Sequence, residues 1–266
     1  MEGYLFIALG KKYIDECYNL SLTIRKHNDT RPISLLINKE DEEYCISKKF
    51  FDKLIYFEPN DRLFDDCKTN FEKYCLYPRI NFDKYVPYDK TIITDSDMLC
   101  IYNTQQVWNL FHETKDPVQM LGIKNDLEWH WGCLREVIEK YGKHIPHTHG
   151  GLFYINKNSD KLTDFFNYCR EVFYDYEKYG CKKYFRGGKV DEIIFAIAFS
   201  KFNLWPKEFT ENSVITFNLL GEVILPTKLQ TVNNNFMILN SPISFVHMFE
   251  KLEGQNYQKL FERIMR

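Results

Sequence analysis

The sequence predicts an α/β protein with a mostly parallel, Rossmann-like mixed sheet flanked by helices. Short apolar runs alternate with stretches of helical periodicity, and the runs end at Gly, Pro, Asn or Asp. No repeat or low-complexity linker breaks the 266 residues, so the reading is one domain, 1–266. One of the apolar runs passes directly into two carboxylates, Asp95 and Asp97.

The elements follow in order. Tyr4, Leu5, Phe6, Ile7, Ala8 and Leu9 form a continuous apolar run ended by Gly10, as suits a strand buried on both faces. Over 13–26, Ile14, Cys17, Leu20 and Ile24 recur near helical spacing, completing a βα unit. The run 32–37 predicts a second strand, 40–51 a helix, and 53–57 a third strand closed by Glu58, Pro59 and Asn60. Residues 71–82 predict a helix as far as Tyr77, where Pro78 interrupts it.

The fourth strand is 90–94, and the acid pair falls at its carboxyl end, where open α/β sheets place ligands. Beyond it come a helix over 103–112, a strand over 118–123 and a helix over 127–141 that contains Trp129 and Trp131. Gly150 and Gly151 open a strand running to Asn156. Helices follow over 162–178 and 189–202, the second beginning with Asp191 and Glu192. The stretch 214–246 reads as strand-poor apart from 243–246.

Composition narrows the function. A net charge of -2 without a Lys/Arg block argues against a sequence-independent grip on nucleic acid, whereas a sugar phosphate needs only a few local cations. The eight cysteines are scattered with no C-x-x-C pair, the pattern of free thiols in a reducing compartment rather than of structural zinc. The opening apolar run is too short for a signal peptide, and no run approaches the roughly 20 residues of a membrane span.

In a β-conformation Asp95 and Asp97 would project to one face, and two acids that close repel unless a cation sits between them. A D-x-D triplet also arises by chance in solvated loops. Here the Thr91-Ile92-Ile93-Thr94 strand and the turn at Pro87 to Lys90 give the acids a defined address.

The segment from Tyr85 to Leu99, with Asp95-Ser96-Asp97 at its centre, resembles the D-x-D region of GT-A glycosyltransferases. Other pieces agree in order across 4–250. The Phe6 to Gly10 strand with Tyr13 and the following helix resembles the first nucleotide-binding βα unit of the family-8 branch, which includes glycogenin and bacterial lipopolysaccharide galactosyltransferases. His149-Gly150-Gly151-Leu152-Phe153-Tyr154-Ile155-Asn156 is similar to that branch's glycine-led strand, Val190-Asp191-Glu192 to its acidic helix start, and Phe245-Val246-His247 to its late metal-binding strand.

The resemblance implies the GT-A (nucleotide-diphospho-sugar transferase) fold and a hexosyltransferase that moves a sugar from a nucleoside-diphosphate sugar, UDP-linked, to a glycan or glycoconjugate, with retention. It implies a metal site of Asp95, Asp97 and His247 holding Mn²⁺ or Mg²⁺, with Asp97 the direct ligand and Asp95 sharing it or holding the ribose. Ala8, Leu9, Gly10, Tyr13 and Ser96 would bind the nucleotide, Arg79 the nucleotide or diphosphate, and Gly150 and Gly151 would let the backbone pass close to the sugar. Asp191 would accept hydrogen bonds from donor-sugar or acceptor hydroxyls, and Lys251 would reach the departing phosphate.

Each of these residues has a plainer explanation: a surface arginine beside Pro78, a glycine turn, acids suited to a helix N-terminus. His144, His147 and His149 read as loop polarity rather than zinc ligands, since Pro146 breaks any helical face. Trp129 and Trp131 are candidates for stacking on an acceptor sugar, although most aromatics at this density belong to the core. Size and lack of an anchor point to the cytoplasm of a bacterium or of a virus-infected host cell. Two rivals share the fold: a sugar-nucleotide nucleotidyltransferase, for which Gly10-Lys11-Lys12 is too poor in glycine to hold a triphosphate, and a non-catalytic carbohydrate-binding protein, which would not need the metal triad.

Overall fold

A computed structural model describes residues 1–112, 114–123, 128–129, 132–183, 187–208, 215–217, 229–232, 235–238, 241–242, 244–247 and 255–266. The chain forms two compact units. The first comprises Met1–Glu2, Phe57–Ile93 and Thr114–Glu208; the second comprises Gly3–Tyr56, Thr94–Glu113 and Phe209–Arg266.

In the second unit the expected βα pattern is present. The strand Glu2–Ile7 buries Tyr4, Leu5 and Phe6 completely, and Gly10 turns the chain into the helix Lys11–Lys26. That helix turns Ile14, Cys17, Leu20 and Ile24 inward, the spacing read from the sequence. Strands Ile33–Ile37 and Lys53–Tyr56 extend the sheet in parallel, with Tyr4 opposite Ile33 and Ser34 opposite Lys53. A second, three-stranded sheet places Phe245–His247 between Ile215–Phe217, parallel to it, and Met98–Cys100, antiparallel. The helix Gln255–Met265 closes this sheet by packing Leu260 and Ile264 on Leu99, Ile101 and Val246.

The first unit is built around an apolar helix, Asp191–Lys201, in which every residue from Asp191 to Phe199 is buried. A helix apolar on all sides belongs inside a domain. Rings of Phe82, Phe153, Phe165, Phe166 and Phe195 pack edge to face or tilted around it. The strands run in the order Lys207–Glu208, Val118–Ile123, His147–Asn156, Lys90–Thr94. Val118–Ile123 pairs antiparallel with His147–Asn156, and the register jumps from Met120 opposite Phe153 to Leu121 opposite His149. Gly150, Gly151 and Leu152 therefore sit in a bulge, a device that re-aims backbone beside functional groups.

Three expectations are corrected. Pro78 does not end its helix: a π-helical turn, Glu72–Leu76, runs into the short helix Tyr77–Arg79, where Pro78 occupies a first-turn position and its missing N–H costs nothing. The helix expected over 127–141 covers only Leu134–Tyr141. Glu128–Trp129 and Gly132–Cys133 instead pair antiparallel: Gly132 weakens a helix and Trp129 suits a strand. The stretch taken as strand-poor contains Ile215–Phe217, Leu229–Val232, Asn235–Ile238 and Ser241–Pro242 as well as Phe245–His247.

Candidate functional site

The apolar strand Lys90–Thr94 delivers Asp95 to a turn, and Met98–Cys100 begins immediately after Asp97. The two acids thus converge through a turn rather than through the alternation of one strand. Met98 is the register partner of His247, so strand pairing carries the imidazole to the turn. His247 Nε2 lies 3.2 Å from Asp97 Oδ1 and 3.5 Å from Asp95 Oδ2. One ligand atom from each residue falls within 4.8 Å of the others, the one such group of three among the described residues.

This donor set fits a divalent cation. Two carboxylates and an imidazole at these separations can occupy neighbouring positions around an ion with bonds of about 2.0–2.2 Å. His247 is 3% exposed, whereas Asp95 and Asp97 are half-buried.

The turn is tethered from the first helix. Ser96 Oγ donates to Glu16 Oε2 at 2.6 Å, and Tyr257 of the last helix donates its hydroxyl to the Glu16 carbonyl at 3.3 Å. Burial pushes the neighbouring Cys17 thiol well up, and the charges of Glu16, Asp97 and Asp95 add to it, so Cys17 stays protonated. Sequence reasoning passed over Glu16, because a lone glutamate among Lys, Asp and Asn on a helix carries no signal.

Ala8, Leu9, Gly10 and Tyr13 occupy the end of the opening strand and the helix entry of this same unit. Ala8 is buried, its N–H bonded to the Leu36 carbonyl at 2.9 Å, and Tyr13 is exposed. Gly10 has φ +124°, a conformation that L side chains rarely adopt.

A second cluster lies in the first unit. Arg79 Nη1 and Asp191 Oδ2 form an ion pair whose side chains are 11% and 4% exposed. Glu192 Oε1 accepts the Gly150 N–H at 2.8 Å, and Thr148 Oγ1 donates to the Glu192 carbonyl, also at 2.8 Å. The bulge is thereby fastened to the helix N-terminus. A Cβ on Gly150 would meet Asp191 Oδ2 at 3.0 Å and Arg79 Nη1 at 3.2 Å, so glycine is what allows the pair to close over the strand. Gly151 donates its N–H to His149 Nδ1 at 3.1 Å. Behind the pair, buried Glu72 accepts from the N–H groups of Lys68, Thr69 and Lys189, holding the chain just before Asp191.

Lys251 and Trp131 lie outside the described residues, as does the side chain of Trp129. His144 stacks on Trp205, with ring centroids 5.5 Å apart.

No protein-family model matches this sequence, and no curated protein does. Solved structures do match. The galactosyltransferase LgtC, in complex with donor and acceptor sugar analogs, aligns over 100% of this chain and 97% of its own at 14% identity, with a TM-score of 0.63. Mouse xyloside xylosyltransferase 1 aligns over 94% of this chain and 98% of its own at 10% identity, with a TM-score of 0.56. The fold is GT-A. On that GT-A frame, the D-x-D turn and His247 occupy the second unit, and the Arg79–Asp191 pair occupies the first. No helix among the described residues is long and apolar enough to cross a membrane.

Proposed function

We propose that this GT-A protein is a divalent-metal-dependent glycosyltransferase that moves a sugar from a UDP-linked donor to a glycan or glycoconjugate acceptor, with retention of configuration. The observation that carries the reading is the convergence of Asp95, Asp97 and His247 within 4.8 Å. When bound there, Mn²⁺ or Mg²⁺ would supply Lewis-acid stabilisation of the diphosphate leaving group. Asp97 and His247 would hold the ion, and Asp95 would share it or bind the ribose. The Ser96–Glu16 hydrogen bond tethers the turn and would help to orient the ligands before the donor arrives. Ala8, Leu9, Gly10, Tyr13 and Ser96 are assigned to the nucleotide, and Lys251 to the departing phosphate.

Asp191 is assigned to the sugar hydroxyls. Held by Arg79, its carboxylate is fixed in direction, as an acceptor of hydroxyl hydrogen bonds must be. Gly150 and Gly151 are assigned to the close passage of the backbone beside the sugar, and at Gly150 the missing side chain is also what admits the Arg79–Asp191 pair. Arg79 is assigned to the nucleotide or diphosphate, and through its ion pair it also orients Asp191.

Thermal-shift titration with UDP, with and without Mn²⁺, tests the reading. Stabilisation by UDP that requires Mn²⁺ and disappears in Asp97→Ala supports it. Stabilisation by nucleoside triphosphates but not by UDP would replace it with the nucleotidyltransferase.

A further inference from the structure

We propose that a pocket on the first unit, walled by Asp116, Gln119, Asn203, Trp205, Pro206 and Lys207, is a carbohydrate subsite that holds one pyranose unit of a glycan. Its volume is about 370 Å³, within the roughly 300–1,000 Å³ of small-ligand clefts. The proposal deepens the transferase reading by giving the protein a second hold on a saccharide, and it rests on that reading only for the source of the ligand.

The pocket is built by the way the apolar helix ends. After Lys201 the chain reverses through Asn203 at φ 54°, with Leu204 donating its N–H to the Phe199 carbonyl at 2.8 Å. Trp205 and Pro206 then lead into the two-residue strand Lys207–Glu208, which pairs with Leu121 and Gly122. Gly122 admits this close approach: a Cβ there would meet the Pro206 ring at 2.8 Å and the His147 carbonyl at 2.1 Å. The wall carrying Trp205 is therefore seated tightly on the sheet.

Two features of the lining point to a sugar. Trp205 is 43% exposed although large and apolar, and an indole is the surface on which the C–H face of a pyranose packs. Gln119 is 3% exposed; its amide donates to Asp116 Oδ2 at 2.5 Å, and its Oε1 has no hydrogen-bond partner among the described residues. A buried carbonyl oxygen without a partner is costly, and a small turn of the amide toward the pocket would let a ligand hydroxyl satisfy it. Asp116 can accept a further hydroxyl, while Asn203 and Lys207 can donate to ring or hydroxyl oxygens. Asp116 against Lys207 leaves no excess positive charge in the lining, which favours a neutral sugar over a phosphate.

The test uses the full chain with methyl galactoside, methyl glucoside, lactose and maltotriose at millimolar concentration, read by saturation-transfer NMR and tryptophan fluorescence. At least one of these sugars should receive saturation at its ring C–H protons. Trp205→Ala should abolish that transfer, and Gln119→Leu should weaken it several-fold, while Mn²⁺-dependent UDP binding stays unchanged in both. Should Gln119→Leu fail to fold, Trp205→Ala carries the test alone, because that residue is exposed. No transfer from any of the four sugars, or undiminished transfer to Trp205→Ala, would overturn the subsite. Sugar binding that depends on Trp205 in a protein that never binds UDP would leave the subsite standing and remove the transferase reading.

Discussion

His247 meets Asp97 through backbone register: it is the strand partner of Met98, and its Nε2 stands 3.2 Å from Asp97 Oδ1. Main-chain pairing holds the imidazole in place, so the side chain can be removed without losing the strand. We expect His247→Ala to fold normally and to bind Mn²⁺ at least about tenfold more weakly, since even outer-shell partners of metal ligands are worth 10–100-fold. Calorimetry in the presence of UDP measures this. An unchanged affinity takes His247 out of the site.

The tether from Glu16 to Ser96 makes a separate prediction. Glu16→Ala removes the acceptor of the 2.6 Å hydrogen bond and should weaken Mn²⁺-dependent UDP binding by about tenfold. Glu16→Gln keeps an acceptor oxygen and should restore most of the loss. If the glutamine variant were as weak as the alanine one, the carboxylate charge rather than the tether would be what matters.

Gly150→Ala probes the sugar-side assignment. The new methyl would crowd Asp191 and Arg79 at 3.0 and 3.2 Å, costing about 1–3 kcal/mol of stability by overpacking. The transfer rate should fall at least about tenfold while UDP and Mn²⁺ still bind. Full transfer activity in a folded Gly150→Ala protein would separate the Arg79–Asp191 pair from the reaction.

Acid stability is expected to depend on Asp29. Burial alone would raise its carboxyl, but hydrogen bonds from Thr104 and Tyr4, the Arg31 N–H and the Arg31 guanidinium together bring it below its ordinary value of 3.8. A depressed native value stabilises the fold fully above the ordinary value. That contribution fades as pH falls below 3.8 and through the native value. At neutral pH, Asp29→Asn should lose about 1.5–3 kcal/mol. Urea unfolding at several pH values should show the gap to the native protein narrowing below pH 4, roughly the carboxylate range. A constant gap down to pH 2, about two units lower, would mean that Asp29 does not titrate with folding.

What the sequence made legible was local pattern. The run Tyr4 to Leu9 with its helix, the strand leading to Asp95 and Asp97, the glycine-led strand and the acidic start of the buried helix all announce themselves by period and punctuation. The short strands Ile215–Phe217 and Met98–Cys100 do not, because each is held by pairing with Phe245–His247, far along the chain. Trp129 and Gly132 lay inside an apparent helical pattern, which a strand-favouring tryptophan and a helix-weakening glycine overrode. Glu192 was legible as a helix-start acid, but its bond to the Gly150 N–H depends on a bulge that no local pattern encodes.

The π-turn at Glu72–Leu76 lengthens the segment without changing its phase. A π-turn fits one residue more than an α-turn into nearly the same rotation, so the extra residue of Glu72–Leu76 is absorbed locally and the helix beyond it keeps its phase. Arg79, three positions beyond the π-turn, reaches Asp191 from that unchanged phase. The surplus residue is thereby taken up inside 72–76, where it widens the turn without redirecting the guanidinium.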